Sequence, residues 1–426
     1  MKSITNNRWF KPSFGLMLIG VSYGSFAAEI SLDPAISTKV EYNDNLNLSS
    51  SDETEVSSMN IIPSLDFWYK QPRWQTKAAA RLISSDYTGA QSLDKTDSFL
   101  TGQFDHQTTE KLTTGLGGSY TRDTTLDSDF FVTGLVFDRF RRESWDITPT
   151  ARYAWTSELE TSFQYQHADL NFIDDISGTD FSEYASDSVD AIITYNLTEI
   201  DQVSTGLSYL SYTTDADPLE TTQVKVYQPG INLGWSRQQN ETLNYSLNIG
   251  ARNTKTKLLF PETTTRLIPG FGPINVPTGN VATLTPDADT GYTYTGSISK
   301  ALETSNLSLT VSQEVTPSST SGLTETLSLR GQYDRHLSEK FDAILKLNHI
   351  NSNSVLGTAS TTAANSINNT TSVINPELRW HFEQDWYLAL AYRYTKQTND
   401  ASLSEASGNL GYVEIKYDWP KTSVSR

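Results

Sequence analysis

The chain has 426 residues, no cysteine and a formal net charge of −18. Its mean hydropathy is −0.44 and its apolar runs are all too short for a transmembrane helix. The acidity excludes a nucleic-acid partner, which needs a basic stripe, and the lack of cysteine excludes a small disulfide-stapled domain.

The N-terminus reads as a secretory signal. Lys2, Arg8 and Lys11 supply the charged part, Phe14 to Val21 the apolar part, and Ser25 and Ala27 the small residues before cleavage after Ala27. The chain thus divides into a signal peptide, 1–27, and a mature chain, 28–426. With 17 Phe, 21 Tyr and 9 Trp, the composition favours strands over helices.

From there the chain alternates with a period of two. In "LTTGLGGSY", Leu112, Thr114, Leu116, Gly118 and Tyr120 share a face. In "LETSFQYQ", Leu159, Phe163 and Tyr165 oppose Glu160, Ser162, Gln164 and Gln166. "LNYSLNIGAR", "LSLTVSQEV" and "WYLALAYRYTK" repeat the pattern near 243, 307 and 386. Eight connections are short and polar: "YKQPRW", "TTEKL", "TSELE", "LTEID", "RQQNETL", "ALETSNL", "LSEKF" and "FEQDW". Longer connections rich in Ser, Thr, Asp and Gly lie between them. Nine hairpins separated by eight short turns predict 18 strands, with both termini on the short-turn side.

A soluble sandwich would bury its apolar face and show no consistent loop length by side. An even strand number, short turns at one end and long loops at the other predict a transmembrane antiparallel β-barrel in the outer membrane. Trp74, Trp155, Trp235, Trp380 and Trp386, beside the short turns, fit an interfacial girdle. The apolar parity then faces lipid. Pro63, Pro149, Pro229 and Pro376 fall in strands descending to short turns; either each sits at a bulge or its strand begins there. The Pro- and Gly-rich long loop 257–290 either folds inward to constrict the pore or packs on the surface.

Four stretches carry a resemblance: "VEYNDNLNL" (Val40–Leu48), Ser312–Phe341 with "TPSS" before a "LSEK" turn, Asn375–Gln397, and "ASGNLGYVEIKYDWP" (Ala406–Pro420). In this order the chain resembles the β-barrel porin-2 family, outer-membrane barrels found with bacterial exopolysaccharide and PEP-CTERM gene clusters. The resemblance spans most of the mature chain and implies a pore serving polysaccharide export. One departure stands out: Trp419 is followed by "PKTSVSR", where many outer-membrane barrels end on an aromatic residue.

The polar parity supplies the pore-lining candidates. These are Lys77, Arg81, Arg152, Arg252, Arg330, Lys346, Arg379 and Arg393, with Glu314 and Glu377. Lys416, Glu160, Asp190, Glu414 and Asp418 share the parity, as do Tyr212, Tyr387 and Tyr412. Such charges either form a basic patch for an acidic sugar polymer or pair with one another to fill and stiffen the lumen. The five histidines are scattered, and the chain has no nucleophile motif, phosphate loop or metal-ligand spacing. The sequence therefore predicts no enzyme, cofactor or metal. It predicts an outer-membrane conduit for exopolysaccharide whose partners are lipid, the polymer and periplasmic export proteins. A diffusion porin, general or sugar-selective, and a closed barrel with surface-binding loops are the alternatives.

Overall fold

The computed structural model describes residues 28–425 apart from 127–138, 177–178, 180, 217–221, 269–271, 287, 320–321, 355–367 and 400–403. Residues 1–27, with the expected cleavage at Ala27, lie outside the described residues.

Period-two alternation without helical spacing becomes strand nearly throughout. The first six strands are β1 (Glu29–Asn43), β2 (Val56–Gln71), β3 (Trp74–Thr88), β4 (Lys95–Gln107), β5 (Leu112–Thr124) and β6 (Arg141–Ala154). Next come β7 (Leu159–Phe172), β8 (Tyr184–Asn196), β9 (Asp201–Thr214), β10 (Gln223–Asn240), β11 (Leu243–Ile268) and β12 (Gly272–Leu284). Then follow β13 (Asp289–Ala301), β14 (Ser305–Ser318), β15 (Gly322–Ser338) and β16 (Phe341–Ser354). The last four are β17 (Asn368–Glu383), β18 (Trp386–Asn399), β19 (Ser404–Asp418) and β20 (Thr422–Ser425).

Every neighbouring pair is antiparallel, and β1 closes the ring on β19 from Ala35↔Asp418 to Asn43↔Leu410. Two strands stand outside the ring. β12 pairs only with the far half of β11, while β11 reaches past it to pair with β13. β20 continues the seam by pairing with Glu29–Leu32 of β1 after the break at Pro420. The ring therefore has 18 strands. All eight short turns are where the sequence places them. With 18 strands about 4.8 Å apart and tilted by about 40°, the barrel is roughly 35 Å across, backbone to backbone.

Exposure separates the two faces. Large apolar residues on one parity are exposed all around the ring, among them Val40, Leu65, Leu116, Phe163, Leu207, Ile249, Leu329 and Leu390. No soluble fold leaves so many large apolar side chains in water, so hydrocarbon is their solvent. The protein is an outer-membrane β-barrel. Tilted and edge-to-face aromatic pairs belt the short-turn end of this outer face. Tyr69–Trp74 lies at 4.8 Å, Tyr153–Trp155 at 4.6 Å and Trp386–Tyr417 at 4.6 Å between ring centroids. Amphipathic rings settle at that depth because one edge is wet and the rest is not.

The four prolines all sit in mid-strand, on the outer parity, and none makes a bulge. Pro63, Pro149, Pro229 and Pro376 each pair normally with the preceding strand. Toward the following strand the ladder lapses for two residues and resumes in the same register: Ile61↔Ser84 then Ser64↔Arg81, and likewise in the other three. The missing N–H removes a rung without changing the residue count, so no extra residue needs to be accommodated. At Pro376 the neighbouring side chain compensates: the Asn375 amide donates to the Tyr392 carbonyl at 2.8 Å.

The 257–290 segment is not a loop folded into the pore. Leu258–Ile268 pairs with Gly272–Leu284 as a hairpin prolonging β11, and β10 stops pairing at Leu259. At about 3.3 Å per residue the overhang stands roughly 30 Å beyond β10.

Candidate functional site: the barrel lumen

All ten pore-lining candidates stand on the face opposite the apolar one, as the registers fix. Lys77 pairs with Gln103, Arg81 with Phe99, and Arg152 with Thr113. Arg252 pairs with Gly230, Arg330 with Thr310, Lys346 with Gln332, and Arg379 with Asp342. Arg393 and Glu377 share this parity with Leu410 and Ile344, and Glu314 with Thr326.

The candidates do not form one patch. Several are committed to partners. Arg379 Nε donates to Glu377 at 2.5 Å, Tyr412 donates its hydroxyl proton to the same carboxylate at 3.1 Å, and Arg379 stacks over Tyr387. Lys39 pairs with Glu41 at 2.6 Å and lies over the Tyr412 ring. Lys416 pairs with Asp418 at 2.9 Å, and Arg152 with Glu160 at 3.0 Å at the exposed rim. The wall β17–β18–β19–β1 is thus a lattice of short ion pairs bridged by tyrosines, which stiffens the closing seam.

Arg330 and Lys346 are exposed to the lumen and have no ion-pair partner among the described residues. With Arg393 they line a cavity of about 360 Å³ whose other polar groups are Ser308, Thr310, Gln332, Asn348 and Asn375; no carboxylate lines it. By contrast, β9 and β10 present only neutral side chains inward, from Gln202 to Thr214 and Val224 to Gln238. The lumen therefore carries charge around most of the ring, with a neutral arc at β9–β10.

The element that enters the lumen is the tip of the β14–β15 hairpin. β13 stops pairing with β14 at Tyr294↔Gln313, while β14 continues to Ser318. Without a neighbour on that side, the tip bends inward. Leu323 and Val315, on the outer parity, pack on the inward faces of β9 and β10 at Tyr212 and Val226. The Tyr212 hydroxyl donates to the Ser318 carbonyl at 3.0 Å, and the Ser182 amide donates to the Ser319 carbonyl at 2.7 Å. Six residues beyond Gln313 span about 20 Å, which matches the chord from β14 to β9 in a barrel of this width.

Arg252 anchors the same tip. Its side chain is 4 % exposed, and it donates to Asp289 at 3.0 Å, to Thr254 Oγ1 at 2.7 Å and to Glu325 on the inturned hairpin. Glycine at 291 makes this possible, since a Cβ there would lie 2.5 Å from the guanidinium. Sequence parity places Arg252 in the lumen but does not reveal that its partner comes from three ring strands away.

Other inward groups went unread. Arg142 pairs with Asp123 at 3.1 Å and Lys95 with Asp97 at 2.9 Å, all buried in the extracellular half of β4–β6. They abut long connections, where alternation gives no clean phase. Trp68 is also inward, paired with Lys77 across β2–β3. It sits within "FWY", where aromatic residues occupy both parities. Among the described residues no group of three or more His, Asp or Glu is placed to hold a metal ion.

No family model matches the chain, and no curated protein does. Among solved structures it is similar to Pseudomonas aeruginosa OccK2, crystallised with glucuronate, at 10 % identity and TM-score 0.44, covering 92 % of this chain and 98 % of that one. Acinetobacter baumannii OccAB3 gives 11 % and 0.42, covering 92 % and 99 %. The alcaligin outer-membrane receptor FauA of Bordetella pertussis gives 11 % and 0.39, covering 91 % and 76 %.

Proposed function

We propose that this outer-membrane barrel is a passive conduit through which an exopolysaccharide leaves the cell. The observation that carries the reading is how the lumen is obstructed. A ring of 18 strands is wide enough for a hydrated glycan chain. What narrows it is the β14–β15 tip, held by a small apolar cluster, two hydrogen bonds and one arginine rather than by a strand of the wall. A chain pushed from the periplasm can displace such a tip without breaking the ring. The resemblance of Ser312–Phe341 and the C-terminal strands to barrels of exopolysaccharide clusters supports the same reading.

The test is polysaccharide at the cell surface and in the periplasm of a strain lacking the protein, with lipopolysaccharide verified intact. Loss at the surface with periplasmic accumulation is expected; unchanged surface polysaccharide would overturn the reading. A second reading, an anion-preferring diffusion porin, draws on the carboxylate-free cavity at Arg330, Lys346 and Arg393. It requires constant conductance and uptake of small anions.

A further inference from the structure

The described part of the chain contains eight tryptophans. Seven of them, Trp74, Trp145, Trp155, Trp235, Trp380, Trp386 and Trp419, follow the outward parity, where a lipid interface accounts for them. Trp68 does not. It pairs across β2–β3 with Lys77 and across β1–β2 with Ser31, both inward, three residues from the periplasmic end of β2. It is only half-buried, so it is not filling a core. An indole turned toward water has lost the lipid that would justify it.

Its surroundings form a cavity of about 500 Å³, within the range of sites that take small organic ligands. Besides Trp68, the lining includes Asp66, Lys77, Gln103 and Asp146. The floor is opened by Gly117: a Cβ there would lie 2.8 Å from Gln103 Oε1, so glycine leaves room beside that acceptor oxygen, while the amide nitrogen donates to Asp105 at 3.0 Å and fixes its direction. Asp66 and Lys77 are exposed and have no hydrogen-bond or ion-pair partner among the described residues. Asp146 is held from the side by Ser119 and Thr148, which fixes the direction of its free lone pairs.

This combination matches one ligand chemistry. A pyranose has a face of C–H groups and a rim of hydroxyls. The C–H face sits on an indole, whose ring face is negative, while carboxylates and amides take the rim with paired donors and acceptors. Asp33 joins Asp66 and Asp146 at the same cavity, against Lys77 and the Lys70 ammonium 5.6 Å from the indole centroid. Lys421 pairs with Asp33 at 3.2 Å, so three carboxylates meet three ammonium groups and the balanced site favours an uncharged sugar.

We propose that Trp68, with Asp66, Lys77, Gln103 and Asp146, is a carbohydrate subsite in the periplasmic half of the lumen, taking one neutral pyranose unit of a glycan chain on its indole face. The proposal rests on the reading of the barrel as a glycan conduit and adds where the chain is first held and of what charge it is.

The experiment is equilibrium binding of fluorophore-labelled cellohexaose, maltohexaose and hexagalacturonate to the full-length protein in detergent micelles, followed by anisotropy. At least one neutral hexasaccharide should bind, and more tightly than the acidic one. Trp68→Ala should weaken it about tenfold, as loss of an aromatic stacking platform does, and Trp68→Phe only two- to threefold. Trp145→Phe, on the outer face, should leave it unchanged; heat-modifiable migration confirms that each variant is folded. Failure of the wild type to bind either neutral probe, or equal affinity in Trp68→Ala, overturns the subsite. Surface polysaccharide in cells lacking the protein decides the conduit reading separately, so the two can fail independently.

Discussion

Replacing Tyr212 with alanine is expected to release the β14–β15 tip from the lumen wall. Tyr212 is 1 % exposed; its ring contacts Val226, Leu323 and Tyr184, and its hydroxyl holds the Ser318 carbonyl. Truncating a buried aromatic residue costs about 3–5 kcal/mol, and the hydrogen bond contributes about 1 kcal/mol. Of these contacts, the Leu323 packing and the Ser318 hydrogen bond are made with the tip, whereas Val226 and Tyr184 belong to the wall, so only the part of the loss from the tip contacts falls on the docking equilibrium. Assigning about half of the total to the two tip contacts leaves about 2–3 kcal/mol, a shift of roughly 30- to 150-fold toward the released tip. Tyr212→Phe removes only the hydrogen bond, about 1 kcal/mol, or roughly fivefold. Single-channel recording in planar bilayers reads this as the fraction of time in the larger conductance. Since the chain has no cysteine, the pair Tyr212→Cys and Ser318→Cys joined by a bismaleimide should hold the smaller conductance permanently. If Tyr212→Ala, shown to be folded, gives the same conductance and dwell times as the wild type, the docked tip does not govern the pore.

Gly291→Val should displace the Arg252 guanidinium and raise the larger-conductance fraction in the same direction as Tyr212→Ala, by a loss of about 1–3 kcal/mol; unchanged dwell times would argue that Arg252 holds nothing. The double variant Arg330→Ala/Arg393→Ala should lower the anion-to-cation permeability ratio measured from reversal potentials, and an unchanged ratio together with unchanged export would reduce these arginines to scaffolding. Deleting the overhang, residues 262–280, should leave barrel assembly and conductance intact because its pairing lies beyond β10; a changed conductance would place it in the permeation path. Asn375→Ala should cost about 1 kcal/mol by leaving the Tyr392 carbonyl unpaired in mid-ladder, seen as a few degrees' loss in the heat-modifiability midpoint.

The ring was legible because each side chain obeys its own solvent. Leu388, Leu390 and Tyr392 face lipid, and their neighbours face water, so parity alone phases the strands and the short turns count them. Long-range consequences were not legible. The inward bend at Gln313 arises because β13 ends its pairing before β14 does, a property of two strands' lengths and not of the residues at the tip. The prolines promised bulges because a missing donor is visible in sequence, while the register that carries across the gap is not. For Trp68, neighbours Phe67 and Tyr69 already satisfy the apolar parity, and a third aromatic residue between them carries no phase of its own.

The ladder lapses at the four prolines fall on β2, β6, β10 and β17, each toward the strand that follows. Counted around the ring, with β12 outside it, these are strands 2, 6, 10 and 16, so the intervals are four, four, six and four. Each lapse takes one restraint out of a ladder whose other rungs are intact, so the two strands can flex there locally. At β17 the Asn375 bond spans the gap to β18 and the Arg379–Tyr387 contact joins the same two strands, within the wall already stiffened by ion pairs. The compliant points therefore lie beside β2, β6 and β10 and leave the closing seam out. A bulky chain in the lumen would meet a wall that gives at these points in a ring that does not open to lipid.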